Sequence, residues 1–383
     1  MKRAICALTL AALAAGVVAT PAHAATTQST VLRACTDGFI YPDNVDMATD
    51  ANGVVHGFAA YGDSPTCGNR IHYFEGSGTS WTAGRTALFG TVVSVAYDTT
   101  GTYLLYISQE TSTTPQLVVA KRGLDGRTNR LAVVATVPST SPGEGSGSIV
   151  AKGGKWLVAF TGPGSAAGDT DLYQAGNMFG TSTAATSLVR NSTAADSYPV
   201  LTLGPDGAPT VAWRRTVGST QSIRIARTTT GTSWAHQAVA TGPTDARLSQ
   251  LDVVVSTAGT FTAWTQSRFS AHTVQVADNL TGSWRVQQPP TQFTNGEGAW
   301  NPVLVASGVK VAVGYSTGDE YPSDGTIVAK RTTTSGTWTT QPTGITASSI
   351  DSTAVVGLAV TGSALTVVGA VGNTIYASSG STF

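Results

Sequence analysis

Short runs of alternating apolar and polar residues recur along this chain, each following a turn that contains glycine. Seven share one form: VVHGFAAY, TYLLYIS, KWLVAF, PTVAWRR, TFTAWTQ, VKVAVGY and ALTVVGA. Aligned on His56, Tyr103, Trp156, Thr210, Phe261, Val311 and Leu365, they are spaced by 47, 53, 54, 51, 50 and 54 residues. Period-two alternation marks strands with one face buried. Turn pairs such as Asn52-Gly53 and Asp206-Gly207 bound the runs. A second phrase, a strand followed by small residues and an aromatic, ends at Trp81, Trp234, Trp284 and Trp338. Its later members lie 50 and 54 residues apart, and the first gap of 153 leaves room for two units that have lost the tryptophan.

Each unit of about fifty residues thus holds an inner strand such as YPVLTLG, the apolar strand, a third strand ending near the aromatic, and a short fourth such as HQAVAT. Such a unit cannot bury both faces alone. Set radially about an axis, each sheet covers its neighbours. The expected fold is all-β: a seven-bladed β-propeller of four-stranded antiparallel blades. Two stacked β-sandwiches are the alternative. The last unit stops at Phe383 after three strands, and one spare strand, Ser29 to Ala34, precedes the first unit near Tyr41. In the propeller this N-terminal strand completes the last blade and closes the ring. The sandwiches leave it unexplained.

The N-terminus carries a different pattern. Lys2 and Arg3 precede an apolar run from Ile5 to Val18, and Ala22-His23-Ala24 is a small-x-small cleavage motif. This is the layout of a signal peptide over residues 1–24, with cleavage after Ala24 and one domain over residues 25–383. An uncleaved anchor is the other reading, although the run is short for a membrane span. No later stretch is apolar for long enough to cross a bilayer, and the expected location is extracellular. With Lys2 and Arg3 removed, 20 basic residues face 22 acidic ones, which argues against nucleic acid as a partner. Charged residues form only 11% of the chain, and 43 glycines accompany many threonines and serines, a composition suited to strands and tight turns. A monomer is expected.

Cys35 and Cys67 remain after cleavage. In an exported chain such a pair forms a disulfide, two buried thiols being the alternative. The cysteines and scattered histidines make no ligand cluster by spacing, so no metal and no cofactor is expected. In a propeller the fourth-to-first and second-to-third connections emerge on one face. Cys35 falls in the first kind and Cys67 in the second, so a bridge would staple the closing strand to the first blade.

The long, irregular connections gather on that same face, and loops on a rigid scaffold are the usual seat of function. Aromatic and charged residues there suit sugar recognition. A ring stacks on the C–H face of a pyranose, while charged groups take hydroxyls or a carboxylate. The candidate ligand-binding residues are Tyr41, Arg70, Tyr198, Arg214, Arg268 and Trp300. Three inner strands begin with an aromatic beside proline: Tyr41-Pro42, Tyr198-Pro199 and Trp300-Asn301-Pro302. They form an aromatic rim around the axial opening or repeated packing at blade junctions. The four repeated tryptophans fall at the outer third-to-fourth turn and are expected to pack between blades.

Gly78-Thr79-Ser80-Trp81 and Gly231-Thr232-Ser233-Trp234 sit at that turn. With the repeat, they resemble the BNR or Asp-box repeats of secreted bacterial sialidase-like β-propellers, whose box reads Ser-x-Asp-x-Gly-x-Thr-Trp. The likeness spans nearly the whole mature chain as a degenerate pattern. The aspartate position holds Gly76 in one phrase and Thr229 in the other. Catalytic sialidases open their first blade with an Arg-Ile-Pro-like phrase whose arginine grips the sugar carboxylate. Here Phe39-Ile40-Tyr41-Pro42-Asp43 keeps the proline and lacks the arginine. The architecture is also similar to that of seven-bladed propeller lectins.

Three functions follow. The first is a binding module that recognises extracellular glycans through the loop face. The second, implied by the resemblance, is a sialidase-like exo-glycoside hydrolase. It needs paired carboxylates, or a tyrosine nucleophile with a carboxylate partner, about 5–9 Å apart. Glu297, Asp319, Glu320, Tyr321 and Asp43 are its candidates. The third is a protein-interaction or cell-envelope scaffold. The sequence contains no Gly-rich phosphate loop, no zinc pair of histidines and no Ser-His-Asp order that stands out as a triad.

Overall fold

Alternating side chains and frequent turns give strand after strand. In the computed structural model the described residues are 27–383 apart from 34, 36, 63–66, 110–113, 138–146, 165–168, 181–183, 190–193, 270, 291–297, 319–322 and 347–352. Apart from a 3-10 turn at Pro42–Asn44, every regular element among them is a β-strand. The chain begins with β1 (Thr27–Leu32), β2 (Val45–Thr49), β3 (Val55–Ala60), β4 (Arg70–Ser77) and β5 (Ser80–Asp98). Next come β6 (Gly101–Ser108), β7 (Gln116–Gly123), β8 (Thr128–Thr136), β9 (Gly147–Lys152), β10 (Lys155–Pro163), β11 (Thr170–Gly176) and β12 (Thr186–Val189). The middle holds β13 (Ala195–Leu203), β14 (Pro209–Val217), β15 (Thr220–Arg227), β16 (Ala235–Thr241), β17 (Ala246–Val255), β18 (Thr260–Arg268), β19 (Ala271–Asp278) and β20 (Arg285–Gln287). The last are β21 (Gly298–Ser307), β22 (Lys310–Gly318), β23 (Ser323–Arg331), β24 (Thr339–Thr346), β25 (Thr353–Thr361), β26 (Ala364–Val371) and β27 (Thr374–Thr382).

Five sheets have four strands and one has seven, β2 to β8. The long sheet exists because β5 serves twice. Its first half pairs with β4 as far as Phe89 opposite Arg70, and its second half pairs with β6 from Gly90 opposite Ser108. Gly90 sits at the switch with φ 150°. A Cβ there would lie 2.0 Å from the Ile107 carbonyl oxygen, so the position requires glycine. The N-terminal strand leaves its sequence neighbours and pairs antiparallel with the last one, Thr27 opposite Ser379 and Leu32 opposite Ile375. It starts two residues earlier than the sequence pattern suggests.

The apolar side chains fall into seven clusters, each filled from two consecutive groups of strands. Phe58 and Ile71 of β3 and β4 meet Leu104 and Tyr106 of β6. Trp264 of β18 meets Ile223 and Ile225 of β15. Val368 and Ile375 of β26 and β27 meet Val45 and Phe74 of β2 and β4. Burying one such side chain contributes about 1.5–3 kcal/mol. Sheets that pack face to face about a common axis are the β-propeller arrangement. The repeated tryptophans stand between sheets, as expected. Trp234 Nε1 donates to Gln174 of β11 (3.2 Å), Trp284 Nε1 to Gln237 of β16 (3.0 Å) and Trp338 Nε1 to Gln287 of β20 (3.3 Å). Trp81 instead donates to its own turn at Gly78 O, 2.9 Å away.

Around the axis, the inner strands present backbone groups that have no partner strand on one side. Side chains from the neighbouring inner strand supply partners. The Asp46 carboxylate of β2 accepts the Val95 N–H of β5 (2.6 Å), Ser94 Oγ accepts the Ile149 N–H of β9 (3.3 Å) and Ser148 Oγ accepts the Leu201 N–H of β13 (3.0 Å). The Asp252 carboxylate of β17 accepts the Leu304 N–H of β21 (2.6 Å), and Asn301 Nδ2 donates to Val355 O of β25 (2.9 Å). Burial raises the Asp46 carboxyl to about 6 and the Asp252 carboxyl to about 7, and the Asp46 charge pushes Asp252 the same way.

Cys35 and Cys67 form a disulfide with Cα atoms 6.2 Å apart. It ties the segment after β1 to the start of β4, closing a loop of the length that contributes about 2–4 kcal/mol. Among the described residues no helix is long and apolar enough to cross a membrane. The signal segment 1–24 lies outside the described residues.

Candidate functional site

Three inner strands carry a bulge at the same height. The register slips between Ser197 and Val200 in β13, between Ser249 and Asp252 in β17, and between Trp300 and Val303 in β21. One residue in each bulge has positive φ: Tyr198 (54°), Gln250 (52°) and Asn301 (56°). Glycine is usual in such a conformation, and another residue costs on the order of 1–3 kcal/mol. The bulges change where these side chains point: Tyr198 and Gln250 line a cavity, while Asn301 donates sideways to Val355 O. Gln250 Oε1 anchors the row, accepting from Thr265 Oγ1 (2.8 Å) and from the Asn301 N–H (2.9 Å).

Above these bulges lies a cavity of about 470 Å3. Tyr198, Ser249, Gln250, Thr265 and Trp300 line its inner side. Asp245, Arg247, Ser267, Phe269 and His272 line the rest, from β17, the segment before it and the β18–β19 hairpin. Phe269 stands at the hairpin tip with φ 54° and is 87% exposed, so its ring is open to solvent beside the cavity. Ser267 Oγ and His272 Nδ1 are 2.8 Å apart, which fixes the imidazole at the wall. Gly298 lets the ring sit there, since a Cβ on it would lie 2.6 Å from the His272 Cβ. Arg247 and Arg268 are exposed beside one acid, Asp245, which accepts from Arg268 Nε at 2.6 Å. The Arg268 guanidinium lies 5.8 Å from the Phe269 ring centre.

The floor is rigid. Arg214 stacks on the Tyr198 ring at 4.6 Å, donates from Nε to Ser197 Oγ (2.9 Å) and from Nη1 to Leu248 O (2.9 Å). Burial pushes the Tyr198 hydroxyl up to about 12, with Arg214 pulling the other way. Beside it the buried Asp196 carboxylate accepts from Arg215 Nε (2.9 Å), Arg215 Nη2 (2.8 Å) and Trp213 Nε1 (2.8 Å).

The structure therefore brings Tyr198 and Trp300 into one cavity wall and Arg268 beside it, and corrects the placement of Arg214. The sequence pattern puts Arg214 in a long second-to-third connection. It lies inside β14, which runs to Val217 before a two-residue turn, and its guanidinium is spent on holding Tyr198. Two other candidates stand apart. The Arg70 guanidinium sits 4.6 Å from the Phe89 ring centre and donates to Thr86 O at 3.3 Å. Tyr41 is 37% exposed and its ring covers Gly62, where a Cβ would lie 2.6 Å from Tyr41 Cε2. Asp43 is exposed beside Tyr41 and does not line the cavity. Glu297, Asp319, Glu320 and Tyr321 lie outside the described residues. Gln250, Phe269 and His272 are not singled out by the sequence pattern. The signal for Gln250 is its spacing, since it falls 52 residues after Tyr198 and 51 before Asn301.

A second cavity, of about 580 Å3, opens on the opposite side among Pro205, Arg227, Gln237, Ser256 and Asn279. Its charged pair, Asp206 and Arg227, bond each other. It has no exposed aromatic ring in its lining.

No family model and no curated protein matches the chain. Solved structures share its fold. A polysaccharide lyase described as a PL25 ulvan lyase superposes with a TM-score of 0.60 at 11% identity, covering 91% of this chain and 94% of its own. The same lyase bound to -[GlcA(1-4)Rha3S]- gives 0.59 at 10% identity over the same shares. The α-L-arabinanase of Penicillium chrysogenum, complexed with arabinobiose, gives 0.51 at 16% identity, covering 76% of this chain and 93% of its own. At these identities the likeness is one of fold.

Proposed function

We propose that this chain is a secreted, seven-bladed β-propeller that binds extracellular glycans in the cavity above β13, β17 and β21. Seven core clusters and the double use of β5 support seven blades, and the pairing of β1 with β27 supports a ring closed by the N-terminal strand. Residues 25–383 are then one domain, exported when residues 1–24 are removed. A disulfide fits that destination.

The observation that carries the binding reading is the cavity lining. Phe269 offers an open ring to the C–H face of a sugar, with the half-buried Tyr198 beside it, and Gln250, Ser267 and His272 offer polar groups for hydroxyls. Two arginines against one aspartate leave the rim positive, which favours a glycan bearing carboxylate or sulfate groups. The lyase and arabinanase neighbours, crystallised with an acidic oligosaccharide and with arabinobiose, support a sugar ligand on this fold. The degenerate boxes of the sialidase-like pattern agree with binding in place of hydrolysis.

An array of neutral and acidic glycans probed with the folded mature chain tests this reading, followed by calorimetry on the hits. Acidic oligosaccharides should bind, and Arg247→Ala should abolish the preference for acidic over neutral ligands. Binding that is indifferent to both Arg247→Ala and Phe269→Ala, or no binding at all, would defeat it.

A further inference from the structure

Away from the cavity, one buried cluster is composed of donor atoms. The sulfurs of Cys35 and Cys67 and a ring nitrogen of His72 lie within 4.8 Å of one another, and all three residues are buried. The fold assembles them from two directions. Cys35 arrives after β1, while Cys67 precedes β4 and His72 is the third residue of that strand. The disulfide accounts for the two cysteines but not for the histidine. His72 is 1% exposed, and neither ring nitrogen has a hydrogen-bond partner. Tyr61 meets the ring by an edge contact at 5.4 Å. Leaving a polar group unpaired in a core costs on the order of 1–3 kcal/mol, and an apolar side chain would fill this space without that cost. The register sets Arg85 opposite His72, Arg70 lies two residues back along β4, and both guanidinium groups act on the imidazole electrostatically.

We infer that, once the bridge is reduced, Cys35, Cys67 and His72 form a three-coordinate site for copper(I). A phosphine supplies the two electrons and one water supplies the two thiol protons and the oxygen of the phosphine oxide that leaves; a dithiol supplies both electrons and both protons and leaves as its own disulfide. Metal binding releases those two protons and makes two Cu–S bonds and one Cu–N bond, with no change in the copper oxidation state. Thiolate ligands select copper(I) or zinc(II). Structural zinc takes four ligands, and the described residues offer three. Two thiolates, a neutral imidazole and copper(I) carry one net negative charge, which Arg70 and Arg85 complement. The intact disulfide offers no thiolate, so redox state gates the site. This inference is independent of glycan binding.

The test uses the full mature chain, reduced anaerobically with a water-soluble phosphine, freed of excess reagent and titrated with copper(I) against the chromogenic chelator bicinchoninate. The reduced chain should retain one equivalent and the oxidised chain none. Cys35→Ser and Cys67→Ser should each abolish retention, and His72→Leu should weaken it about tenfold or more, since even outer-layer partners matter that much. Copper(I) should also raise the Tm of the reduced wild type. Circular dichroism of each sample reports the fold. The inference is overturned if His72→Leu holds copper(I) as tightly as wild type. It also fails if the reduced wild-type chain loses its β-sheet spectrum, or if the oxidised chain retains an equal amount.

Discussion

The cavity above β13, β17 and β21 and the corner around Cys35, Tyr41 and Arg70 draw on the same kinds of residue. In the corner they satisfy one another. Arg70 stacks on Phe89, Tyr41 lies on Gly62, and the disulfide holds the segment in place. In the cavity, the buried members do the same work, with Arg214 on Tyr198 and Arg215 on Asp196, but a second layer remains turned toward open volume. An arginine or an aromatic on a loop face is thus not by itself a ligand group. What distinguishes the two regions is that the cavity leaves the Phe269 ring open beside a volume of about 470 Å3, whereas the Phe89 and Tyr41 rings of the corner lie against Arg70 and Gly62.

Substitutions can break this contrast. A large effect should come from the cavity floor. Asp196→Ala leaves the buried Trp213 N–H and the partly buried Arg215 guanidinium without their acceptor, and should lower stability by about 3 kcal/mol in urea unfolding. In the corner, Cys35→Ser should cost about 2–4 kcal/mol by the same measurement while leaving affinity at the cavity unchanged. A loss of ligand affinity in Cys35→Ser would show that the two regions are coupled.

A third prediction concerns the axis between them. Asp46 and Asp252 titrate near 6 and near 7 in the fold, above the ordinary carboxylate range. From about pH 4 the unfolded chain has already lost those protons while the folded chain keeps them. Stability contributed by the protonated forms is therefore fully present below pH 4 and is lost as pH rises through about 6 and 7. Their joint contribution should fall by on the order of 6 kcal/mol between pH 4 and pH 8, and Asp252→Asn should flatten the fall in Tm across that window. A slope identical to wild type would remove Asp252 as its source.

The smallest effect sharpens the comparison most. Phe269→Ala should weaken glycan binding by about 0.5–1.5 kcal/mol, three- to tenfold in Kd, without changing Tm, because the ring is exposed and supports no core. Arg70→Ala should leave Kd unaltered in the same titration, because its guanidinium is engaged by Phe89 and Thr86.

Much of the architecture is legible in the chain because strand periodicity and repeat length are local properties. The alternating phrases near His56, Tyr103, Trp156, Thr210, Phe261, Val311 and Leu365 correspond to β3, β6, β10, β14, β18, β22 and β26. The pairing of Cys35 with Cys67 and the inter-sheet setting of Trp234, Trp284 and Trp338 follow from the same spacing. The continuous β5 is less visible, since nothing but Gly90 distinguishes a strand that crosses between sheets from one that ends.

The site is another matter. The sequence by itself determined the strands and their repeat, because backbone hydrogen bonding and alternation depend on near neighbours. Only the tertiary structure decided that Arg214 serves Tyr198 while Arg247 and Phe269 face the cavity, and that Gln250 joins them. Those assignments depend on side chains from separate sheets competing for the same ring faces and donors, and that competition exists only when the sheets are packed about the axis.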